Sequence, residues 1–338
     1  MDNKKIGILV RSPNWLGDAV MCLPFLENLR VIYPDAWIGI WCYSNLKDLF
    51  KAYQGVDEII ILPKNKFFIL KQRSKLKKLF SICILLPNSF SSALISFLAG
   101  IPKRIGYDTD GRRLFLTKSY PAPKGIHQID YFLHLIKCLG YNPKPFTPNL
   151  KPLPEGEKEK ELLRKKYGWG KEYVIFAPGA AYGLAKCWPP IYFAKLAEKI
   201  KKTGKEIILV GSKKDKNITS LILSYLRNQK GIYDIAGKTT LAGVISIIKE
   251  ASIVISNDSG LMHLTAALRC PQIAIFGPTS PARTSPYGNT TYIIHHPVPC
   301  SPCTYRQCPK DHICMKQISV DEVFNIYQKI KTHSYNTL

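Results

Sequence analysis

Short aliphatic runs alternate with amphipathic helical segments from one end of this chain to the other, and that alternation constrains the fold more than any other feature. In the first half "KIGILV", "AWIGIWC", "EIIILP" and "SICILLP" read as buried strands with helical stretches between them. Residues 141–157, "YNPKPFTPNLKPLPEGE", hold five prolines and read as a linker. The alternation then restarts with strand "YVIFAPG", helix "PPIYFAKLAEKIKKTG", strand "KEIILVGS", a helix running to Leu226, helix "LAGVISIIKEA", strand "SIVISN", helix "GLMHLTAAL" and strand "PQIAIFG". Strands that alternate with helices form parallel sheets covered on both faces. The expectation is an α/β protein of two Rossmann-like domains, residues 1–150 and 151–338, facing each other across a cleft. The final helix is expected to pack back on the first domain. A length of 338 residues, 46% of them hydrophobic, supplies two full cores. In open sheets of this kind ligands lie outside the carboxyl ends of the strands, so the loops there are the places to look for chemistry.

Composition narrows the setting. Six of the ten cysteines (Cys22, Cys42, Cys83, Cys138, Cys187, Cys270) are scattered through apolar segments, as reduced core cysteines are, and "MDNKKIGILV" lacks the features of a secretory signal. The chain reads as cytoplasmic. Leu79 to Ile101 carries no charge and is long enough to span a bilayer, but Pro87, Asn88 and four nearby serines break it. A strand followed by the helix "SSALISFLAG" is expected there.

The net charge of +24 is spread over both halves, +11 in residues 1–150 and +13 in the remainder. It has one local concentration, because residues 59–107 contain nine Lys/Arg and no acid. Within it "KNKFFILKQRSKLKKLF", residues 64–80, interleaves lysines with apolar residues. That stretch is either a solvated helix face or a surface drawn to an anionic membrane or a phosphorylated lipid. No nucleic-acid-binding motif accompanies the charge, and nucleic acid is not an expected partner.

Four stretches can carry chemistry. In "RSPNWLGDAV" Asp18 sits where the first strand hands over to a helix, "AVMCLPFLENLR", with Val20, Leu23 and Leu26 on its apolar face. It is either a helix cap or a reacting carboxylate. In "SIVISNDSGLMHLTAAL" a strand ends at Ser256, and Asn257, Asp258 and Ser259 offer caps for a helix starting near Gly260. An ordinary capped helix and an anion site built from free N–H groups are both consistent with it, with His263 on the first turn. In "PGAAYGLAKCWPP" Lys186 follows a strand of the same domain. It is either a surface lysine or the partner of a phosphate held at "NDSG". "CSPCTYRQCPKDHICM" holds Cys300, Cys303, Cys308 and Cys314 near His312. Its first pair has zinc-like spacing and its second does not, so a thiol-rich loop without metal is preferred. No G-x-G-x-x-G follows a strand and no P-loop is present, which speaks against nicotinamide, flavin and P-loop nucleotide chemistry. No cofactor is called for.

"RSPNWLGDAVMCLPFLENL", "PGAAYGLAKCWP", "SNDSGLMHLTAAL", "FGPTSP" and the cysteine-rich tail, in this order along the chain, resemble the ADP-heptose:lipopolysaccharide heptosyltransferases of glycosyltransferase family 9. Ala181 and Tyr182 stand where the type I pattern has hydroxyl residues ahead of the lysine, which favours type II. The resemblance implies a GT-B fold and an enzyme peripheral on the cytoplasmic face of the inner membrane. It implies transfer of L-glycero-D-manno-heptose from ADP-heptose to the inner-core heptose of lipopolysaccharide. By the same resemblance Asp18 matches the general base and Lys186 a lysine that contacts the donor. Asp258, Ser259, Gly260 and His263 match the loop and helix start that cradle the diphosphate and heptose.

Arg104, Arg112 and Arg113 are expected to pair with anionic groups of the acceptor. The donor loops hold no D-x-D-like carboxylate pair, so Lys186 and the helix at Gly260, instead of a metal ion, are expected to stabilise the departing ADP. The rival readings are a family 9 enzyme with another acceptor, a sugar-nucleotide epimerase of the same fold, and a non-catalytic nucleotide-binding module.

Overall fold

The structure is a computed structural model that describes residues 6–63 and 68–335. The chain divides into two compact units, Met1–Lys151 and Pro152–Leu338. The first contains strands β1 (Gly7–Arg11), β2 (Trp37–Cys42), β3 (Glu58–Ile61), β4 (Ile82–Leu85), β5 (Lys103–Tyr107) and β6 (Lys118–Tyr120), in the order β3-β2-β1-β4-β5-β6. The second contains β7 (Tyr173–Ala177), β8 (Glu206–Leu209), β9 (Ile232–Asp234), β10 (Ile253–Asn257), β11 (Gln272–Phe276) and β12 (Thr291–His295), in the order β12-β11-β10-β7-β8-β9. Every strand pair in both sheets is parallel.

Each sheet reverses its winding beside its first strand, at β1/β4 in one unit and β7/β10 in the other. Crossovers leave such a switch point toward opposite faces and open a crevice at the strand carboxyl ends. Central strands are buried on both faces and are therefore almost wholly apolar: "GILVR", "YVIFA" and "IVISN" are buried along their entire length. The start of β1 lies so close to the end of the helix Phe68–Leu79 that a Cβ at Gly7 would sit 1.8 Å from the Leu79 carbonyl oxygen.

Several local expectations need correction. The helix after β1 is two helices, Leu16–Met21 and Leu23–Ile32, joined at Cys22. Pro24 has no N–H to continue the first ladder and instead opens the second helix, where its fixed φ is suitable. The linker is more ordered than five prolines suggest. Asn28 exchanges two hydrogen bonds with the Lys144 backbone, and Lys151 N–H bonds the Ala52 carbonyl, so this strap lies on the first unit. Its last part, from Pro154, is already the helix Pro154–Tyr167.

The final helix, Val320–Tyr335, places its apolar residues Val323, Tyr327 and Ile330 in the second unit's core beside the helix Pro190–Lys201. The uncharged stretch 79–101 forms β4 and the helix Phe90–Leu98. Among the described residues no helix is long and apolar enough to cross a membrane.

Candidate active site

In the first unit the β1/β4 switch point leads into "SPNWLGD". Arg11, at the end of β1, is 3% exposed and folds back over this turn. Its guanidinium donates to the carbonyls of Ser12 and Trp41 and to Asn14 Oδ1 at 2.5 Å, and it stacks on the Tyr43 ring. Burial lowers its pKa from the usual arginine value. The sequence did not single out Arg11, although a charged residue ending an apolar strand is the signal that could have done so.

Arg11 fixes the entry of the helix Leu16–Met21, whose N-cap is Trp15, in extended conformation and with no side-chain cap. Asp18 is therefore the third residue of the helix and not its cap. An acidic residue in that first turn is favourably placed for the helix dipole.

In the second unit the β7/β10 switch point gathers three loops. Lys186 Nζ lies 2.5 Å from Asp258 Oδ2, with the Lys186 side chain 14% and the Asp258 side chain 5% exposed. Thr279 Oγ1, from the "FGPTSP" loop after β11, donates to the same carboxylate oxygen at 2.7 Å. Asn257, expected as a cap, instead ties two loops together. Its Oδ1 accepts from Trp188 N–H and its Nδ2 donates to the Pro178 carbonyl at 2.6 Å, holding the segment that carries Lys186 against β10. The sequence did not reveal these contacts of Asn257 and Thr279.

Ser259 is the N-cap of the helix Gly260–Ala267, but its side chain caps no N–H, and its Oγ is buried without a hydrogen-bond partner. His263 is buried on the first turn. A helix N-terminus whose first N–H groups lack a side-chain cap, beside a lysine, is a place for an anion.

The cysteine-rich segment is a strap over this site. Arg306 C=O accepts from Ala185 N–H at 3.0 Å, His312 Nε2 contacts the Ala185 carbonyl, and Tyr182 OH donates to the Thr304 carbonyl. A Cβ at Gly183 would come within 2.3 Å of the Arg306 carbonyl oxygen, so only glycine lets the two segments meet. On its other side the strap bonds the "FGPTSP" loop through Cys303 N–H to Pro278 and Ser301 Oγ to Gly277. Burial first, then the neighbouring Cys308, Cys300 and Cys303, push the Cys314 thiol up to about 11. Among the described residues no three His, Cys, Asp or Glu side chains are set to hold a metal ion.

The three arginines expected on the acceptor side differ in their surroundings. Arg112 is fully buried under the strand ends, donating to the Tyr107 and Pro87 carbonyls and to Ser92 Oγ, and burial lowers its pKa to about 10. Arg104 is committed to the carbonyls of Phe115, Ile101 and Pro102 and packs over the Phe97 ring. Both guanidiniums are engaged by oxygens of the protein itself. Arg113 is 77% exposed and 3.7 Å from Asp108, and of the three it alone presents its charge to solvent.

The sequence profile of glycosyltransferase family 9 (heptosyltransferase) matches residues 69–314. Lipopolysaccharide heptosyltransferase 2 of Escherichia coli is 30% identical over 303 residues, covering 85% of this chain and 87% of that protein. Lipooligosaccharide heptosyltransferase 2 of Haemophilus influenzae is 32% identical over 311 residues, covering 86% and 88%. The solved structure of E. coli ADP-heptose lipopolysaccharide heptosyltransferase II superposes with a TM-score of 0.84 at 27% identity, over 98% of this chain and 100% of that one. Two six-stranded parallel Rossmann-like units are the domain pair of the GT-B class, as the alternation and the resemblance led us to expect. With that fold, a profile match over most of its length and a lysine poised beside a helix N-terminus, the chain belongs to glycosyltransferase family 9, the heptosyltransferases, and is an enzyme of heptose transfer.

Proposed function

We propose that the chain transfers L-glycero-D-manno-heptose from ADP-heptose to the inner-core heptose of lipopolysaccharide, with inversion at the anomeric carbon. The observation that carries this reading is the meeting of Lys186, Asp258 and the open helix N-terminus at Gly260 on one sheet's switch point. In the reaction the acceptor hydroxyl oxygen bonds to the anomeric carbon while the bond from that carbon to the β-phosphate oxygen breaks. The electron pair leaves with ADP and the proton goes to Asp18.

Lys186 and the Gly260 helix end place positive charge where the leaving group gains negative charge. Asp258 acts as the partner that orients Lys186, which differs from a direct phosphate contact, since a carboxylate repels phosphate. Ser259 Oγ and His263 complete the donor cradle, and Arg113 is the acceptor-side cation.

The enzyme is proposed to work on the cytoplasmic face of the inner membrane. The helix Phe68–Leu79 supports this, since it exposes Lys71, Arg73, Lys75, Lys77 and Lys78 together with Leu70. Lys64 and Lys66 of the same basic stretch lie outside the described residues.

ADP release from ADP-heptose, measured with and without heptosylated Kdo-lipid A, tests the assignment. Release that depends on this acceptor, with an inverted product anomer by NMR, is the expected result. Conversion of ADP-heptose without acceptor would point to an epimerase instead.

A further inference from the structure

The charge at the donor site does not balance with the residues named so far. Lys186 is held beside Asp258, two residues before the Gly260 helix, and at 2.5 Å its charge is matched by that carboxylate, so the pair is neutral overall. The end of a helix contributes roughly half an elementary charge. A departing diphosphate carries more negative charge than that, and it gains more as the glycosidic bond breaks.

A second cation lies beside the pair. Tyr182 presents its ring to Lys186 Nζ, 5.2 Å from the centroid, and to the Arg306 guanidinium, 5.7 Å from the same centroid. The two cations are therefore at most about 11 Å apart.

We propose that Arg306 is a further donor-binding residue that holds the diphosphate of ADP-heptose together with Lys186 and supplies the net positive charge their ion pair lacks. The proposal rests on the ADP-heptose reading above. Three observations support it beyond proximity. Arg306 is solvent-exposed and, among the described residues, no carboxylate lies within ion-pair distance of it, so its charge is uncompensated where Lys186's is not. Its backbone is bound to the loop that carries Lys186, through Ala185 N–H to Arg306 C=O and the close approach at Gly183, so the segments that carry the two cations are held together. The Tyr182 ring is itself fixed by its hydroxyl to the Thr304 carbonyl, giving the guanidinium a defined platform. A guanidinium also suits the role, since its planar fork pairs two phosphate oxygens at once.

The strap's contacts to the Lys186 loop run through the Arg306 main chain, so Arg306→Gln removes the charge and leaves them in place. ADP affinity by calorimetry and turnover with ADP-heptose and heptosylated Kdo-lipid A are each expected to fall about 10- to 100-fold, with an unchanged thermal midpoint. Arg306→Lys should recover part of both losses. AMP, which lacks the β-phosphate, should bind the wild type and the Gln variant within about threefold of each other. Wild-type protein that binds ADP, with an Arg306→Gln variant of unchanged ADP affinity and turnover, overturns this inference alone. Wild-type protein that binds no ADP overturns the donor reading and the inference together.

Discussion

Lys186 and Asp258 are 72 residues apart in sequence and 2.5 Å apart in space, and both side chains are largely out of water. The pair gives Lys186 one orientation at the mouth of the β7/β10 switch point, with Thr279 holding the far side of the same carboxylate oxygen. Removing either partner leaves the other buried and without its counter-charge.

Lys186→Ala should lower donor affinity and turnover and also destabilise the protein by about 3–5 kcal/mol, because the Asp258 carboxylate loses its cation. The double variant Lys186→Met with Asp258→Asn should recover much of the thermal midpoint and none of the activity. Calorimetry and steady-state kinetics on the three proteins separate the effects. Activity that returned along with stability would remove Lys186 from the chemistry.

Asp18→Asn separates base from helix residue. Asp18 is the third residue of its helix, and the first-turn charge that Asn removes there is worth about 0.3–1 kcal/mol. Turnover at saturating acceptor should fall roughly 10²- to 10⁴-fold while ADP-heptose affinity stays within about twofold. Near-normal turnover in the well-folded variant would assign Asp18 to the helix alone.

Charge reversal on the exposed face of the helix Phe68–Leu79, with Lys71, Arg73, Lys75, Lys77 and Lys78 changed to Glu, should weaken binding to vesicles that contain anionic lipid. The loss should be larger at low ionic strength, where the charges are less screened. Lys75 already pairs with Glu58 at 3.1 Å, so Lys75→Glu alone should also lower stability slightly. Vesicle sedimentation measures the first effect, and binding that did not change would leave this helix as a solvated face.

The helices Pro154–Tyr167 and Leu241–Glu250 meet around Lys160, which is 1% exposed and bonds both Glu157 and Glu250, while Arg164 holds the other oxygen of Glu250. Burial alone would raise the Glu250 pKa, but hydrogen bonds and charge from Lys160 and Arg164 outweigh it and hold the carboxyl below the usual range. A depressed carboxyl contributes stability above its unfolded pKa and loses it as pH falls through the folded one. The thermal midpoint should therefore drop as pH is lowered through and below about 4, the ordinary glutamate range. Glu250→Gln should be less stable near neutrality and show a shallower acid drop. An acid drop as steep as the wild type's would show that this cluster is not its source.

Hydrophobic periodicity is a local property. The sequence by itself therefore determined the α/β class, the restart near residue 150, the eight strands rich in aliphatic residues, and the strand-end loops that hold Asp18, Lys186 and the Gly260 helix. It did not disclose β5, β6, β9 and β12. These are "KRIGY", "KSY", "IYD" and "TYIIH", segments with polar or charged residues at or next to a sheet edge, which break the apolar run that marks a buried strand.

The same limit governs the site. Arg104, Arg112 and Arg113 are equivalent charges in a string of letters. Only the folded chain turns Arg112 under the strand ends, ties Arg104 to three carbonyls and leaves Arg113 in solvent. Lys186 acquires its partner, and Arg306 its place above Tyr182, through contacts between segments more than seventy residues apart. Period and propensity act over a few residues, whereas burial and charge pairing depend on which distant segments the fold brings together. For that reason the tertiary structure alone decided which of these charges are matched and which remain open to a ligand.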